Sequence, residues 1–435
     1  MGGDPRRGHT GPSQPQVTVE VSHPAANRGG VDQPVRSSQH RRKLLGRGFV
    51  LALVLVLTGC TGEAGFGGSG GGGQADEPPQ PARLQVLPAD GVIDISPDSA
   101  ILVSVGHGEI DSVTVEDSTG AAVEGAMATG DRDLATPLWQ PAVPLLYGQT
   151  YTVTAQATGE DDKQVSVTST FSTATPTVQV FPAIGPLDGT TVGIGMPIRV
   201  YFDQPVSDKT SAERNLTVTT SVPVVGGWNW FSDTEVHWRP QVYWPANIEV
   251  RLDANMYGVN LGDGAWGKVD RSIGFTIGAA HISRADAATH TMQVYDGDAL
   301  VQTYPVSMGR PGFETSNGAY VVIDKNRNKI MDSTTYGLAL DAGGYVTAVE
   351  YATRISNNGT FVHAAPWSVA QQGNTNVSHG CINLSTERAA WFFDFSQIGD
   401  VVEVVNGVGT IGPADGDIYD WVIPWETWLQ GSALN

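Results

Sequence analysis

The chain has 435 residues, roughly three domains at about 150 residues each, and its hydrophobic content of 40% is sufficient for packed cores, which excludes a wholly disordered chain. Only 16% of the residues are charged, whereas 53 Gly and 26 Pro favour short strands joined by turns, so all-β domains are expected. Residues 1–59 hold eight basic and three acidic residues, which leaves 17 basic against 42 acidic residues, a balance of −25, in the remainder. Such an acidic surface repels phosphate backbones, which excludes nucleic acid as a partner, and it suits a partner with ammonium groups.

Residues 1–60 are typical of a bacterial export signal. Three basic residues at positions 41–43 precede an apolar run over residues 48–56 that is too short to span a membrane. The run ends in Leu57-Thr58-Gly59-Cys60, which resembles a lipobox. We therefore expect Cys60 to be acylated and to anchor the mature protein to the outer face of the cell membrane. Ordinary cleavage and an uncleaved anchor are the alternatives, and a start codon assigned too far upstream would explain the forty polar residues at the beginning.

Two tandem sandwiches are predicted after this signal. Residues 61–82 are rich in Gly and Pro and are expected to form a flexible tether. Alternating strands begin near residue 83, and a weak repeat follows: Pro88-Ala89 recurs at 182–183 and Trp139 recurs as Trp238, at periods of 94 and 99 residues. These periods match the size of an immunoglobulin-like sandwich, so residues 83–175 and 176–278 are assigned to two such domains. Their tryptophans are expected in the cores rather than as sugar-stacking residues.

Residues 279–406 are predicted to form a third, mainly β domain with one short helix. Strands are expected near residues 291–295, 300–307 and 320–323. The helix would be capped by Ser385, carry Glu387 in its first turn, and bury Ala389, Phe392 and Phe393 on one face. The tail over residues 407–435 contains three tryptophans, which we expect to dock against a neighbouring domain: Trp421, Trp425 and Trp428.

The strongest chemical signal is Ser-His-Gly-Cys-Ile-Asn at residues 378–383, with His363 eighteen residues before Cys381. A free thiol has a pKa of about 8.5, and an imidazole that accepts its proton leaves a nucleophile. His363 or His379 is a candidate for that base. The N–H groups of Gly380 and Cys381 are candidates to face a developing oxyanion, so the pattern favours acyl transfer through a thioester.

Two other interpretations of these residues are weaker. His363, His379 and Cys381 would bind zinc only with a further ligand, and residues 363–386 hold no carboxylate and no second cysteine. An inert buried cysteine is also disfavoured, because an unpaired thiol exported into an oxidising compartment is a liability unless it is used. No metal and no cofactor are therefore expected.

The sequence resembles the L,D-transpeptidases of the YkuD type, in particular the mycobacterial kind with immunoglobulin-like domains before the catalytic one. The resemblance rests on the motif at residues 378–384, on His363 with the following 364–369 segment, and on Trp391-Phe392-Phe393 before the strand at 399–405. Residues 336–337 and 344–345 resemble the lid of those enzymes. Residues 315–318, Thr-Ser-Asn-Gly, resemble a degenerate form of the family's Thr-Pro-x-Gly turn.

The resemblance implies an enzyme that forms 3→3 cross-links in peptidoglycan. Cys381 would attack the L-centre of meso-diaminopimelate in a tetrapeptide stem and release D-alanine, with His363 as the base and His379 in a positioning role. Tyr345 and the amides of Gly380 and Cys381 would form the oxyanion hole. The pocket would be lined by further residues, of which Met331 and Trp367 are equally well explained by packing: Met331, Tyr336, Trp367, Ser378 and Asn383. The implied partners are peptidoglycan stem peptides and inhibitors of the carbapenem type.

One position departs from the family pattern. Relatives commonly carry Ser directly after the catalytic His, and this chain has Ala364. A hydroxyl cannot orient His363 here. The backbone carbonyl of Ala364 is the group expected to do so instead.

Three other functions could use similar residues. A sortase would need an Arg soon after the cysteine strand, and the nearest, Arg388, falls in the predicted helix. An inactive wall-binding lipoprotein would have lost Cys381 or His363, and both are present. A carboxypeptidase that only trims D-alanine stays open, because water and an amine attack the same thioester.

Overall fold

The computed structural model describes residues 78–128, 138–416 and 418–435. Cys60 and most of the tether lie outside these residues. Strands dominate the described part of the chain, as predicted, and its three α-helices are short. Among the described residues no helix is long and apolar enough to cross a membrane.

The first β unit consists of two sheets with strand orders β1-β2-β5-β4 and β3-β6-β7. Strand β6 shows why they pack together, because alternate residues from Tyr151 to Ala157 are buried and those between them are partly exposed. Trp139 is buried in this core, as expected. The strands are β1 Arg83–Leu87, β2 Ile101–Gly106, β3 Gly108–Asp117, β4 Gly125–Ala128, β5 Leu138–Pro141, β6 Thr150–Gly159 and β7 Gln164–Ser172.

The second β unit has sheets of order β10-β18-β15-β12, β13-β14-β11-β9 and β16-β17-β8 around a larger core. Trp238 is buried there and stacks on Trp244 with ring centres 5.1 Å apart, which confirms its core role. The elements are β8 Val178–Val180, β9 Pro182–Gly185, β10 Thr191–Val192, β11 Ile198–Phe202, α1 Lys209–Arg214, β12 Leu216–Thr220, β13 Gly226–Trp230, β14 Glu235–Pro240, β15 Glu249–Ala254, β16 Asn260–Gly262, β17 Ala265–Gly267 and β18 Arg271–Ile277.

The third unit places two sheets around helix α2, with strand orders β21-β20-β19-β27-β22 and β23-β24-β25-β26. The predicted helix is present: the Ser385 hydroxyl accepts the Arg388 N–H at 3.4 Å, and Ala389 and Phe392 are buried while Phe393 is half-buried. The elements are β19 His281–Asp286, β20 Thr291–Asp296, β21 Ala299–Pro305, β22 Gly318–Val321, β23 Asp324–Asp332, β24 Val346–Arg354, β25 Phe361–Ala364, β26 Ile382–Leu384, α2 Thr386–Phe395 and β27 Val401–Val405.

The C-terminal tail docks on the second β unit, as its tryptophans predict. Helix α3, Trp425–Gln430, buries Trp428 completely, and the Trp428 indole donates to the Gly227 carbonyl at 2.8 Å. The guanidinium of Arg239 lies between 4.6 and 5.3 Å from the ring centres of all three predicted tryptophans. The tail therefore joins the second unit to the third, because it follows β27 directly in the chain.

Candidate active site

The pairing of β25 with β26 brings the two key side chains together. These strands are parallel, with His363 opposite Asn383. Cys381 immediately precedes β26, two residues before Asn383, and side chains two apart on a strand share a face. The imidazole of His363 and the thiol of Cys381 therefore project to the same side of the sheet, where they line one cavity.

This cavity has a volume of about 170 Å³ and contains eight of the predicted site residues. Met331 is only 5% exposed and packs against Cys381, whereas Trp367 is 58% exposed and forms the rim. Tyr336 and Gly380 line neighbouring cavities instead. Three of the lining residues were not predicted from the sequence: Thr347 and Val349 alternate along β24, and Val377 directly precedes the motif. The full lining is Met331, Tyr345, Thr347, Val349, His363, Trp367, Val377, Ser378, His379, Cys381 and Asn383.

His363 is held in one tautomer by the main chain. Its Nδ1 lies 2.8 Å from the carbonyl oxygen of Ala364, an atom that can only accept, so Nδ1 carries the proton and Nε2 has the free lone pair. Burial lowers the pKa of His363 to about 4, while the Ala364 carbonyl and the Asn383 side chain act in the opposite direction. The imidazole is therefore neutral at physiological pH and able to accept a proton.

Cys381 is a protonated thiol in this site. It is 4% exposed, and burial raises its pKa to about 11, although the nearby amide of Phe361 opposes that rise. The S–H group points at the carbonyl of Gly359, 3.6 Å from Sγ. The cavity therefore holds a neutral thiol and a neutral imidazole, and a thiolate would have to be generated by proton transfer.

The motif turn is pinned by Ser378. Its hydroxyl donates to the carbonyl of Cys381 at 2.6 Å and accepts the N–H of Gly380 at 3.1 Å. Gly380 has φ +114°, a conformation that side chains rarely adopt. The Gly380 amide, expected to face an oxyanion, is thus engaged within the turn. The Cys381 amide has no hydrogen-bond partner among the described residues and is the main-chain donor left for that purpose.

His379 has both ring nitrogens occupied. Its Nδ1 accepts from the Arg310 guanidinium at 3.1 Å, and its Nε2 donates to the Gly343 carbonyl at 3.0 Å. Burial and the Arg310 charge lower its pKa, which keeps the ring neutral. The ring also contacts Phe313 and Tyr345, with centroid separations of 4.9 and 4.8 Å. His379 therefore connects the motif to the segment before β24 and has no nitrogen free to take the thiol proton.

The hydroxyls of Tyr345 and Tyr336 are hydrogen-bonded to each other. The Tyr336 hydroxyl donates to the Tyr345 hydroxyl at 2.6 Å, and the Tyr336 ring lies over Gly359. Burial, together with the neighbouring Cys381, raises the pKa of Tyr345 well above its usual value, so the phenol keeps its proton. A protonated phenol in a cavity with a thiol and an imidazole is equipped to donate to a developing oxyanion.

Comparison of the chain with known proteins identifies the family to which it belongs. The sequence pattern of the L,D-transpeptidase catalytic domain matches residues 280–404, and that of a bacterial Ig domain matches residues 93–260. L,D-transpeptidase 5 of Mycobacterium tuberculosis is 39% identical over 423 residues, which cover 95% of this chain and 90% of that protein. The chain belongs to the L,D-transpeptidase family.

Other L,D-transpeptidases resemble shorter parts of the chain. L,D-transpeptidase 2 of Mycobacterium tuberculosis is 38% identical over 345 residues, which cover 79% of this chain and 83% of the relative. A solved LD transpeptidase in complex with imipenem is 36% identical, covers 53% of this chain and all of its own, and has a TM-score of 0.46. The family and the all-β fold class predicted from the sequence are both confirmed.

Proposed function

We propose that this L,D-transpeptidase forms 3→3 cross-links between peptidoglycan stems through a cysteine thioester. The observation that carries the proposal is the neutral pair of His363 and Cys381, which share one cavity with Tyr345 while the Ala364 carbonyl fixes the His363 tautomer. A neutral dyad with a phenol donor suits attack on an amide carbonyl. That attack needs a base, a nucleophile and a donor for the oxyanion.

Acylation consumes the thiol proton and releases an amine. His363 Nε2 takes the proton as Cys381 Sγ bonds to the carbonyl carbon of the L-centre of meso-diaminopimelate in a tetrapeptide stem. The oxyanion receives hydrogen bonds from the Tyr345 hydroxyl and the Cys381 amide. The tetrahedral intermediate then collapses, the bond to D-alanine breaks, and the leaving amine takes the proton from His363. A thioester and free D-alanine are the products.

Transfer reverses these roles. The side-chain amine of a second diaminopimelate attacks the thioester, and His363 accepts a proton from that amine. The sulfur leaves and recovers its proton from the imidazole, so the enzyme returns to its neutral state. Met331, Trp367, Ser378 and Asn383 line the cavity for the donor stem, and Tyr336 orients Tyr345. Water in place of the amine would give only a trimmed tripeptide, which is the alternative carboxypeptidase function.

The test is incubation of the purified protein with a diaminopimelate-containing tetrapeptide, followed by mass spectrometry. A cross-linked dimer mass supports the transpeptidase, a tripeptide alone supports the carboxypeptidase, and neither product would indicate a silent wall-binding protein. Cys381→Ala is the matched control and should yield no product. Carbapenems should add one covalent mass to Cys381, and an unchanged adduct in Cys381→Ala would contradict the mechanism.

We also propose that the enzyme is held to the outer face of the cell membrane by a lipid on Cys60. The support is the Leu-Thr-Gly-Cys sequence after a short apolar run and before a Gly-rich tether. Cys60→Ala should abolish lipidation and processing, measured by fractionation and by the mass of the mature N-terminus. A substituted protein that is processed and membrane-bound like the wild type would contradict the anchor.

A further inference from the structure

The loop between β21 and β22 contacts the catalytic motif through one buried hydroxyl. Thr315 is 4% exposed, and its Oγ1 donates to the carbonyl of Gly380 at 2.9 Å while it accepts the N–H of Gly309 at 3.0 Å. The Thr315 carbonyl accepts the N–H of Val408 at 3.1 Å. The position of Thr315 is therefore fixed by hydrogen bonds to residues outside the motif, in addition to its bond to Gly380.

The space around Thr315 is closed as well. A Cβ atom on Gly309 would lie 2.6 Å from the Thr315 nitrogen, and one on Gly407 would lie 2.1 Å from the Thr315 oxygen. Both glycines let the backbone pack closely against Thr315 on either side. Because this packing leaves Thr315 little room to move, Oγ1 holds the Gly380 carbonyl in a fixed position.

The Gly380 carbonyl belongs to the peptide unit between Gly380 and Cys381. In a trans peptide the carbonyl of one residue and the N–H of the next point in opposite directions. A hydroxyl that holds the Gly380 carbonyl therefore also sets the direction of the Cys381 N–H. Gly380 has no side chain and has φ +114°, so its own sterics restrain this unit weakly.

The neighbouring polar groups of the turn are held by a different residue. Ser378 accepts the Gly380 N–H and donates to the Cys381 carbonyl, which leaves the Gly380 carbonyl to Thr315 and the Cys381 N–H without a partner among the described residues. Ser378 and Thr315 thus restrain successive peptide units of the same turn.

We propose that Thr315 is a positioning residue, which directs the Cys381 amide toward the oxyanion that forms during acyl transfer. The inference rests on the proposed function, because the oxyanion is that of the cysteine acylation step. Thr315 does not touch the substrate, and its effect is transmitted through the carbonyl of Gly380.

Two reactions of the same thiol test this role. Acylation by a carbapenem builds an oxyanion, whereas alkylation by iodoacetamide is a direct displacement at carbon and builds none. In Thr315→Val the hydroxyl is lost at nearly constant volume. We expect the acylation rate of this variant to fall about 10- to 100-fold. This loss is smaller than the usual effect of removing an oxyanion donor, because the Cys381 amide remains and is only less well directed. The alkylation rate of the variant should stay within about threefold of the wild type.

Conservative and neighbouring variants complete the test. Thr315→Ser keeps the hydroxyl and should restore acylation to within about threefold of the wild type. Ser316→Ala removes a hydroxyl from the same loop that makes no hydrogen bond to Gly380, and it should behave like the wild type. The ratio of acylation to alkylation is the readout, because unfolded protein alters both rates. If Thr315→Val does not fold, Thr315→Ala is measured in the same way.

The outcomes separate this inference from the proposed function. Equal losses of acylation and alkylation in Thr315→Val, or an unchanged ratio, would overturn the positioning role while wild-type cross-linking still supports the transpeptidase. A wild-type protein that is acylated normally but yields no cross-linked dimer would overturn the proposed cross-linking and leave the Thr315 result standing. A wild-type protein that forms no acyl-enzyme would overturn both.

Discussion

The Nδ1 atom of His363 lies 2.8 Å from the carbonyl oxygen of Ala364, the position at which the family resemblance predicts a serine. A main-chain carbonyl accepts a hydrogen bond whatever side chain follows the histidine. The orientation of His363 is therefore set by the main chain at the end of β25 and does not need a hydroxyl. This relationship shows that His363 is oriented without the serine that the family pattern predicts at position 364.

Ala364→Ser should consequently change little. The added hydroxyl competes with a carbonyl that already holds Nδ1, so we expect the carbapenem acylation rate to remain within about threefold of the wild type. Ala364 is buried, and the extra oxygen should lower the melting temperature by only a few degrees. A tenfold faster acylation would mean that the carbonyl orients His363 poorly.

His363 and His379 should differ sharply when each is replaced. His363→Gln removes the imidazole whose Nε2 carries the lone pair in the cavity of the thiol, and it should slow acylation by about 10²-fold or more, the usual scale of general-base assistance. His379→Gln should slow it by less than about tenfold, since both nitrogens of His379 already have partners. Stopped-flow acylation of the two variants checks the order, and the reverse order would assign the base to His379.

The pH dependence of thiol alkylation and of thiolate absorbance should show that Cys381 and His363 are both neutral at rest. With a pKa of about 11 for Cys381 and about 4 for His363, the pair stays thiol and imidazole between pH 5 and 9. The rate of alkylation by iodoacetamide should therefore rise through this range without a plateau. Thiolate absorbance at 240 nm, compared with Cys381→Ala, should be absent at pH 6. A thiolate band at pH 6 would show a resting ion pair instead.

Local features of the site could be predicted from the sequence, because they depend on neighbours along the chain. The Ser385 cap and the buried face of α2 are of this kind. The partners of His379 are not, since Arg310 lies 69 residues away and Gly343 lies 36 residues away. The register of β25 against β26, which places His363 and Cys381 in one cavity, is equally non-local.

The hydrogen bond of the Gly380 amide is a second feature that could not be predicted from the sequence. The sequence identifies a Ser-His-Gly-Cys turn, but it does not reveal that the Ser378 hydroxyl occupies the Gly380 N–H. Thr347 and Val349 were missed for a related reason. Alternation along β24 indicates that they share a face, and only the packed structure determines that this face borders the cavity.

Tyr345→Phe should affect turnover more than folding. The Tyr345 hydroxyl bonds to that of Tyr336 and faces the cavity of the thiol, so its removal should slow acylation by about 10²–10³-fold. The ring contacts with His379 remain in the phenylalanine variant, and its melting temperature should stay within a few degrees of the wild type. Wild-type rates of acylation and cross-linking would remove Tyr345 from the oxyanion site.

His237 anchors the C-terminal tail through Asp420. His237 is fully buried, with Nδ1 2.9 Å from Asp420 in the tail and Nε2 2.9 Å from Glu235 on its own strand. Burial alone would lower its pKa, but the charges and hydrogen bonds of Asp420 and Glu235 outweigh that effect and raise the pKa above 6.5. The folded state therefore binds a proton more tightly than the unfolded chain does.

The stabilisation from protonated His237 should be complete below about pH 6.5 and should disappear as the pH rises through the raised folded-state pKa. His237→Gln leaves Asp420 buried without its cationic partner, which should lower the free energy of unfolding by about 3 kcal/mol at pH 6. The melting-temperature difference between wild type and variant, measured from pH 6 to 9.5, should shrink as the pH rises. The double variant His237→Gln with Asp420→Asn, which removes the unpaired charge, should show a smaller and flatter difference. A difference between wild type and His237→Gln that is constant or grows with pH would mean that His237 is neutral in the folded protein.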